Sequence, residues 1–253
     1  MKVFLIATLW LLALSANAVT IEFPEEELAR ESVLPIFDNA VAVKSRLVPT
    51  AKRFEFGIGG GFAMNEPFFN ATRFGGHAAY HITETHGIFV QGQVYSDGLG
   101  SNGTALANTD LNNAGTFLRL DYAPQAKSHF LLNYQISPYY GKMSLFKDRV
   151  SNLSLYGLVG AGVIDIGGET TPAFNVGIGQ KFYFSDRWGI RADLGLMAYQ
   201  GVNYFLGAGG APTPLQDDVG NPSDFEATQK LPGDFERQMN YDLHLSVALI
   251  ILI

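Results

Sequence analysis

The sequence predicts an all-β protein, an eight-stranded antiparallel up-and-down transmembrane β-barrel, and three observations carry that prediction. The last segment, 240–253, places Tyr241, Leu243, Leu245, Val247, Leu249, Ile251 and Ile253 on one face. Such an unbroken apolar stripe matches a transmembrane strand, which needs about 9–11 residues with lipid-facing and lumen-facing positions alternating. The same period of two recurs through the chain from Arg53 onward. Beyond the first eighteen residues, no stretch is long and apolar enough for a membrane helix, so a mature chain that spans a membrane does so with strands.

Residues 1–18 read as an export signal: Lys2 gives the positive start, Val3 to Leu14 form the apolar core, and Ala16-Asn17-Ala18 is an A-x-A cleavage site. The mature chain then begins at Val19. Residues 19–51 form a periplasmic N-terminal segment in which acidic Glu25-Glu26-Glu27-Leu28-Ala29-Arg30-Glu31 leads into Val33-Leu34-Pro35-Ile36-Phe37, a short amphipathic helix stopped near Pro35. The barrel occupies 52–253.

Its first strand sets Phe54, Phe56, Ile58, Gly60 and Phe62 against Arg53, Glu55, Gly57, Gly59 and Gly61. Further strands fall near 71–82 with Phe74, Ala78, Tyr80 and Ile82 outward, and near 87–95 with Ile88, Val90 and Val94. Another runs over 128–137 with Phe130, Leu132, Tyr134 and Ile136 outward. The strand at 152–165 leaves its facing open, because Leu153, Leu155, Val159 and Val163 oppose Tyr156, Leu158 and Ile164. Strands at 173–184 (Phe174, Val176, Ile178, Phe182, Phe184) and 189–199 (Ile190, Ala192, Leu194, Leu196) precede the last.

Thr116 to Tyr122 also alternates, but a ninth strand would make the count odd, and single-chain bacterial barrels have even numbers. With eight, the links 65–70, 96–127, 166–172 and 200–239 lie at one end, and 83–86, 138–151 and 185–188 at the end of both termini. Long loops lie outside, so both termini are periplasmic in a bacterial outer membrane. Aromatic girdles follow: Phe54, Phe56, Tyr80, Phe182, Phe184 and Trp188 at the periplasmic interface, and Phe62, Phe68, Phe69, Phe74, Phe174, Tyr199 and Tyr241 at the outer one.

Composition narrows the function classes. There is no cysteine, hence no disulfide and no lipid-acceptor thiol. The net charge of −7 becomes −8 once Lys2 is removed with the signal, which argues against nucleic acid as a partner. A mean hydropathy of +0.09 suits strands apolar on one side only.

The motifs Phe23-Pro24-Glu25-Glu26-Glu27-Leu28-Ala29, Arg53-Phe54-Glu55-Phe56-Gly57-Ile58-Gly59-Gly60-Gly61, Asn65-Glu66-Pro67-Phe68 and Tyr140-Gly141-Lys142-Met143-Ser144-Leu145-Phe146 are distinctive. Over most of residues 22–200 the chain resembles the outer-membrane β-barrel domain family of delta-proteobacterial gliders and predators, small barrels of the OmpA/OmpX kind. The resemblance implies an outer-membrane location and, for some members, an envelope complex connected with gliding motility. It supplies no catalytic residues. Ile253 stands where the assembly signal of such barrels usually has a terminal aromatic.

Inward positions carry Arg53, Glu55, Arg73, His77, His81, Lys181, Arg191, Asp193, Asp242 and His244. Eight strands leave an interior just filled by side chains, so these charges are expected to pair into a plug. Arg191, Asp193 and Lys181 form its centre, with Lys181 opposite Asp193 if the turn after Ser185 takes three residues. His77 and His81 do not make a metal pair, because four residues of strand span about 13 Å. Asp242 and His244, within reach of His129, are the nearest approach to an acid–base set, without an activated serine or second acid. The acids Asp217, Asp218, Asp224, Glu226, Asp234 and Glu236 lack the spacing of a calcium loop. Gly57-Ile58-Gly59 and Gly177-Ile178-Gly179 are not followed by a helix pattern, so they are not phosphate loops. The three sequons at Asn70, Asn102 and Asn152 carry little meaning in a bacterial envelope protein.

The expected protein is therefore non-enzymatic and without cofactor or metal. Its partners are outer-membrane lipid, the barrel-insertion machinery, and a periplasmic protein that docks on Glu25, Glu26, Glu27, Leu28, Arg30, Leu34 and Phe37. Two rivals are a small porin-like channel passing ions or solutes, and a secreted lipocalin-like barrel with its apolar side inward.

Overall fold

Alternating residues form strands here because each strand has two different surroundings, and the sheet they build closes on itself. The computed structural model describes residues 48–253 apart from 71, 97, 112–114, 147–148 and 219–227. The signal peptide, most of the N-terminal segment, and its candidate docking residues from Glu25 to Phe37 lie outside the described residues.

The elements are β1 (Phe54–Ala63), β2 (Thr72–His81), β3 (His86–Tyr95), a short helix α1 (Ser101–Ala107), β4 (Thr116–Leu118), β5 (Ala126–Phe146), β6 (Arg149–Ile166), β7 (Glu169–Tyr183), β8 (Trp188–Gly207), β9 (Gln216–Asp218) and β10 (Phe235–Leu252). Eight strands form a closed barrel in the order β1-β10-β8-β7-β6-β5-β3-β2, while β4 and β9 pair separately. All barrel neighbours are antiparallel, and the seam joins β1 to β10 from Glu55↔Leu252 to Ala63↔His244. The hydrogen bond from the Ile253 amide to the Phe54 carbonyl (2.8 Å) completes that seam.

The two faces are sorted as in a barrel immersed in lipid. Ile58 and Phe174 are 64% and 63% exposed, whereas inward Glu55 and Lys181 are 0% and 1% exposed. The lipocalin-like alternative requires the reverse. On β6 the facing left open by the sequence is settled: Leu155, Val159 and Val163 are exposed, and Tyr156, Leu158 and Ile164 are buried inside.

Glycines mark the sharpest approaches between strands. An added Cβ at Gly162 or Gly75 would meet the backbone of the adjoining strand, at Phe130 and Gly92 respectively. Only a residue without a side chain lets the wall of so narrow a cylinder bend inward there.

Two expectations need correction, the link at 138–151 and the outer aromatic ring, and the loops add structure that the sequence did not assign. Segment 138–151 is no loop: β5 stays paired with β6 past Ile136, through a register shift between Ile136 and Tyr139 that accommodates Pro138, which has no amide to donate, and from Met143↔Ser151 to Phe146↔Arg149 the two strands run on as an arm beyond β7. Thr116 to Tyr122 is outside the barrel, with Thr116–Leu118 paired to Gln216–Asp218 and Leu120–Tyr122 in a 3-10 turn. Tyr199 points inward to line a cavity, and Phe68 and Phe69 pack beneath the loops, so the outer ring keeps Phe62, Phe74, Phe174 and Tyr241 alone of those proposed. The long loops also fold on each other, burying Leu118, Leu120, Ala123, Leu215 and Phe235 in a core of their own. The Arg119–Asp217 ion pair (3.1 Å) braces β4 against β9.

The end at which Val48 enters and β10 finishes is closed as well. Val48, Tyr183, Ile250 and Leu252 form a buried apolar floor. Glu84 holds the incoming chain above that floor, accepting from the Thr50 amide (3.1 Å), the Thr50 hydroxyl (2.9 Å) and the Ala51 amide (3.1 Å).

Candidate functional site

Two polar clusters fill the lumen, one near each end. The lower one centres on the Glu55 carboxylate, delivered to the axis by β1. Lys181 Nζ on β7 donates to Glu55 Oε2 at 2.6 Å, and His81 Nε2 on β2 stands 3.1 Å from the same oxygen. His77 Nε2 lies 3.4 Å and Arg191 Nη1 3.7 Å from Glu55 Oε1. Those last three atoms face one another at ion-pair distance without a formed hydrogen bond among the described residues.

Arg191 on β8 spends its remaining donors on Asp193, with Nε to Oδ2 at 2.6 Å and Nη2 to Oδ1 at 2.9 Å. The Tyr156 hydroxyl donates to Asp193 Oδ1. The Arg191 guanidinium also lies 3.9 Å from the Phe89 ring centre and 4.7 Å from that of Tyr156, a sandwich of two rings. Gln135 accepts from Lys181 Nζ at 3.3 Å and passes the network to Ser137 at 3.0 Å. Two carboxylates thus meet an ammonium and a guanidinium group, and burial of each charge is offset by an opposite one.

The upper cluster joins β2 to β10. Arg73 grips Asp242 with Nη2 to Oδ1 at 3.3 Å and Nη1 to Oδ2 at 3.2 Å. Arg73 Nη1 also reaches the Tyr95 hydroxyl at 3.2 Å, which contacts His129 Nδ1 at 3.0 Å. Between the clusters Asn175 Nδ2 donates to Asn133 Oδ1 at 2.8 Å, and Leu131 and Met197 are fully buried.

Of the residues expected in one lumen network, the structure brings Glu55, Lys181, Arg191 and Asp193 together in the lower group. Arg73 and Asp242 meet in the upper one. His244 is buried on the lumen face of β10 against Gly195. Arg53 belongs to neither. It sits before β1 at the barrel's lower rim, donating to the carbonyls of Pro49 (3.1 Å), Asp186 (3.2 Å) and Leu252 (3.2 Å). Lys181 does not face Asp193: the turn over 184–187 pairs Tyr183 with Gly189, which puts Lys181 opposite Arg191 and Gly179 opposite Asp193. The sequence did not single out Tyr156, Gln135 or Tyr95 as network members.

Asp217 is engaged by Arg119, and Asp234 Oδ2 accepts the Leu231 amide at 2.8 Å. Among the described residues no three acids or histidines gather as a metal site. Asp224 and Glu226 lie outside them.

Above the upper cluster and beneath the loops is a cavity of about 360 Å³, bordered by Tyr95, Tyr199, Tyr204, Phe68, Glu66 and Asp242 among others. Burial pushes the Glu66 carboxyl up from its ordinary value, against the Phe68 and Phe69 amides that pull it down.

No protein-family model and no curated protein matches the chain. Among solved structures the chain is similar to the N-terminal β-barrel domain of Pseudomonas aeruginosa OprF, at 12% identity and a TM-score of 0.39 over 79% of this chain and 98% of that one. It is also similar to the outer membrane protease OmpT from Escherichia coli, at 9% identity and a TM-score of 0.28 over 82% of this chain and 98% of that one. Both likenesses are distant, and the reading below rests on the chain's own geometry.

Proposed function

We propose that the protein is a non-enzymatic integral barrel of the bacterial outer membrane, closed along its lumen, with a structural or interaction role in the cell envelope. The carrying observation is the inversion of polarity across the wall: Arg73, Lys181 and Arg191 are fully buried inside, while Ile58, Phe74, Phe130, Phe174 and Ile178 stand exposed outside. In water such a continuous apolar surface is unsustainable for a monomer. In lipid it is the favourable arrangement, and a closed barrel leaves no unpaired strand edge.

Fractionation tests the membrane reading. The protein should pellet with outer membranes and migrate faster on gels unheated than boiled; recovery as a soluble species refutes it. The paired charges support a plug over the porin-like alternative. In planar bilayers the wild type should give no steady conductance steps, and steps that change on Arg191→Ala would replace the plug with a channel.

In this reading the long loops face outward and both termini face the periplasm, since periplasmic turns are the shorter set. Residues 22–37, with Glu25, Glu26, Glu27, Leu28, Arg30, Leu34 and Phe37, serve as the docking segment for a periplasmic partner. The family resemblance adds a motility-associated envelope complex as the setting. Deleting 22–37 should leave heat-modifiable folding intact and abolish partner cross-linking; an unchanged cross-linking pattern removes the docking assignment.

A further inference from the structure

We infer that the cavity at the loop end of the barrel is a binding site for a small organic cation, an amine or quaternary ammonium. At about 360 Å³ it has the size of a small-molecule site. Its lining includes the carboxylates of Glu66 and Asp242 and no lysine, arginine or histidine. Several of its polar side chains are bonded to the backbone. Asn203 Oδ1 accepts the Phe205 amide at 3.0 Å, Gln125 Oε1 the Gly98 amide at 3.2 Å, and Gln238 Nε2 donates to the Val202 carbonyl at 3.4 Å. These bonds hold the wall in place.

Aromatic faces and one uncompensated acid remain. Phe69 meets Tyr204 edge to face at 5.2 Å between ring centres, and Phe68 meets Phe205 likewise at 5.7 Å, so the rings are fixed before any ligand arrives. Asp242 is neutralised by Arg73, which grips both its oxygens. Glu66 has no ion pair among the described residues; its Oε1 accepts the Phe68 amide at 3.3 Å. An ordered aromatic enclosure with one carboxylate lacking a cation complements an ammonium group, whose charge the ring faces and the acid share. An anion would meet the uncompensated carboxylate of Glu66. The burial that raises the Glu66 pKa is the cost that such a cation would relieve.

The site asks only for the barrel and its loops and is independent of the membrane reading. It is tested with the full chain refolded in an uncharged polyoxyethylene detergent, by calorimetric titration with choline, putrescine, acetate and 3,3-dimethylbutanol, the uncharged isostere of choline. Saturable binding of choline or putrescine, without binding of the isostere or acetate, is expected. Glu66→Gln should weaken the cation by about tenfold or more, with heat-modifiable mobility showing that the variant folds. Equal binding of choline and its isostere, no saturable binding of either amine, or a folded Glu66→Gln variant of unchanged affinity overturns the inference. Should that variant not fold, the discrimination between choline and its isostere by the wild type decides alone.

Discussion

Removing the charge of Glu55 is the most severe small change available to this barrel. The carboxylate is 0% exposed and holds Lys181 at 2.6 Å, His81 at 3.1 Å, His77 at 3.4 Å and Arg191 at 3.7 Å. The lower cluster balances Glu55 and Asp193 against Lys181 and Arg191, so Glu55→Gln keeps the shape and leaves one buried positive charge in excess. Breaking a buried pair by deleting one partner costs about 3–5 kcal/mol, because the survivor is stranded away from water. With a urea dependence of about 2 kcal/mol per molar, the unfolding midpoint in liposomes should fall by about 2 M. Replacing both partners, Glu55→Gln with Lys181→Met, removes the stranded charge and should restore much of the loss, giving a coupling energy of about 1–3 kcal/mol in the double-mutant cycle. A midpoint shift for Glu55→Gln below roughly 0.5 M, or losses that simply add within about 0.5 kcal/mol, refutes the claim that this pair is the balance point of the lumen.

Three further outcomes are expected. Ile178→Arg puts a charge on the exposed face of β7 and should destabilise the barrel by about 2–4 kcal/mol in bilayers, whereas a water-soluble barrel would accept it; urea titration in liposomes separates the two. Leu120→Ala opens the loop core at a fully buried site, and the loss of about 2–5 kcal/mol should appear as faster protease cutting of the loops while the barrel keeps its heat-modifiable migration. Glu66→Gln tests the raised carboxyl through stability. An acid whose pKa folding raises costs the folded state wherever it is ionised, and that cost disappears as pH falls through the raised pKa toward and below the ordinary value of 4.5. The variant should therefore melt higher than the wild type near about pH 8 and match it near about pH 4, measured by heat-modifiable gel shift; a lower melting point near about pH 8 contradicts it.

The parts of the fold that were legible in the sequence are those with an apolar outer face. Along the middle of β1, β5, β7 and β10 the outward side chains are predominantly apolar and the inward ones polar or small, and that contrast writes the period of two. Where the contrast stops, legibility stops. The stretch of β5 and β6 past Ile136 carries Pro138, Gly141 and Lys142 on its first strand, so its alternation fades although its ladder continues to Phe146↔Arg149. The floor residues Ile250 and Leu252 were invisible for a related reason: they are apolar on the lumen face, where the pattern led one to expect polar groups.

The site was legible as a set of inward charges but not as pairs. One turn explains part of this. The hairpin over 184–187 is closed by the Phe184 and Ser185 amides, both donating to the Trp188 carbonyl, with Ser185 Oγ accepting the Trp188 amide at 3.0 Å. The supposed three-residue turn pairs Ser185 with Gly189; the observed partner of Gly189 is Tyr183, two residues earlier, and that moved Lys181 from Asp193 to Arg191, two like charges side by side that the sheet alone would not tolerate. Their repulsion is offset from across the cylinder, by Glu55 on a strand separated from β7 by β8 and β10. Rules that pair neighbouring strands cannot see such a contact.

That geometry has a consequence for assembly. Glu55 and Lys181 are 126 residues apart, and Arg73 and Asp242 are 169 apart. Each pair joins an N-terminal strand to a C-terminal one, so neither can form in an open sheet whose first and last strands are still apart. Until β1 meets β10, Lys181 and Arg191 sit as adjacent cations, and Arg73 lacks Asp242. Closing the seam therefore gains the ladder from Glu55↔Leu252 to Ala63↔His244 and discharges both unfavourable sites in the same step. Register at the seam is fixed by the same means. A one-residue slip of β10 against β1 would turn Asp242 onto the apolar outer face and Leu243 toward Arg73, stranding a buried guanidinium without its carboxylate. The polar lumen thus makes the correctly closed barrel far more stable than its misregistered neighbours, and it does so most strongly at the strand pair that the chain completes last.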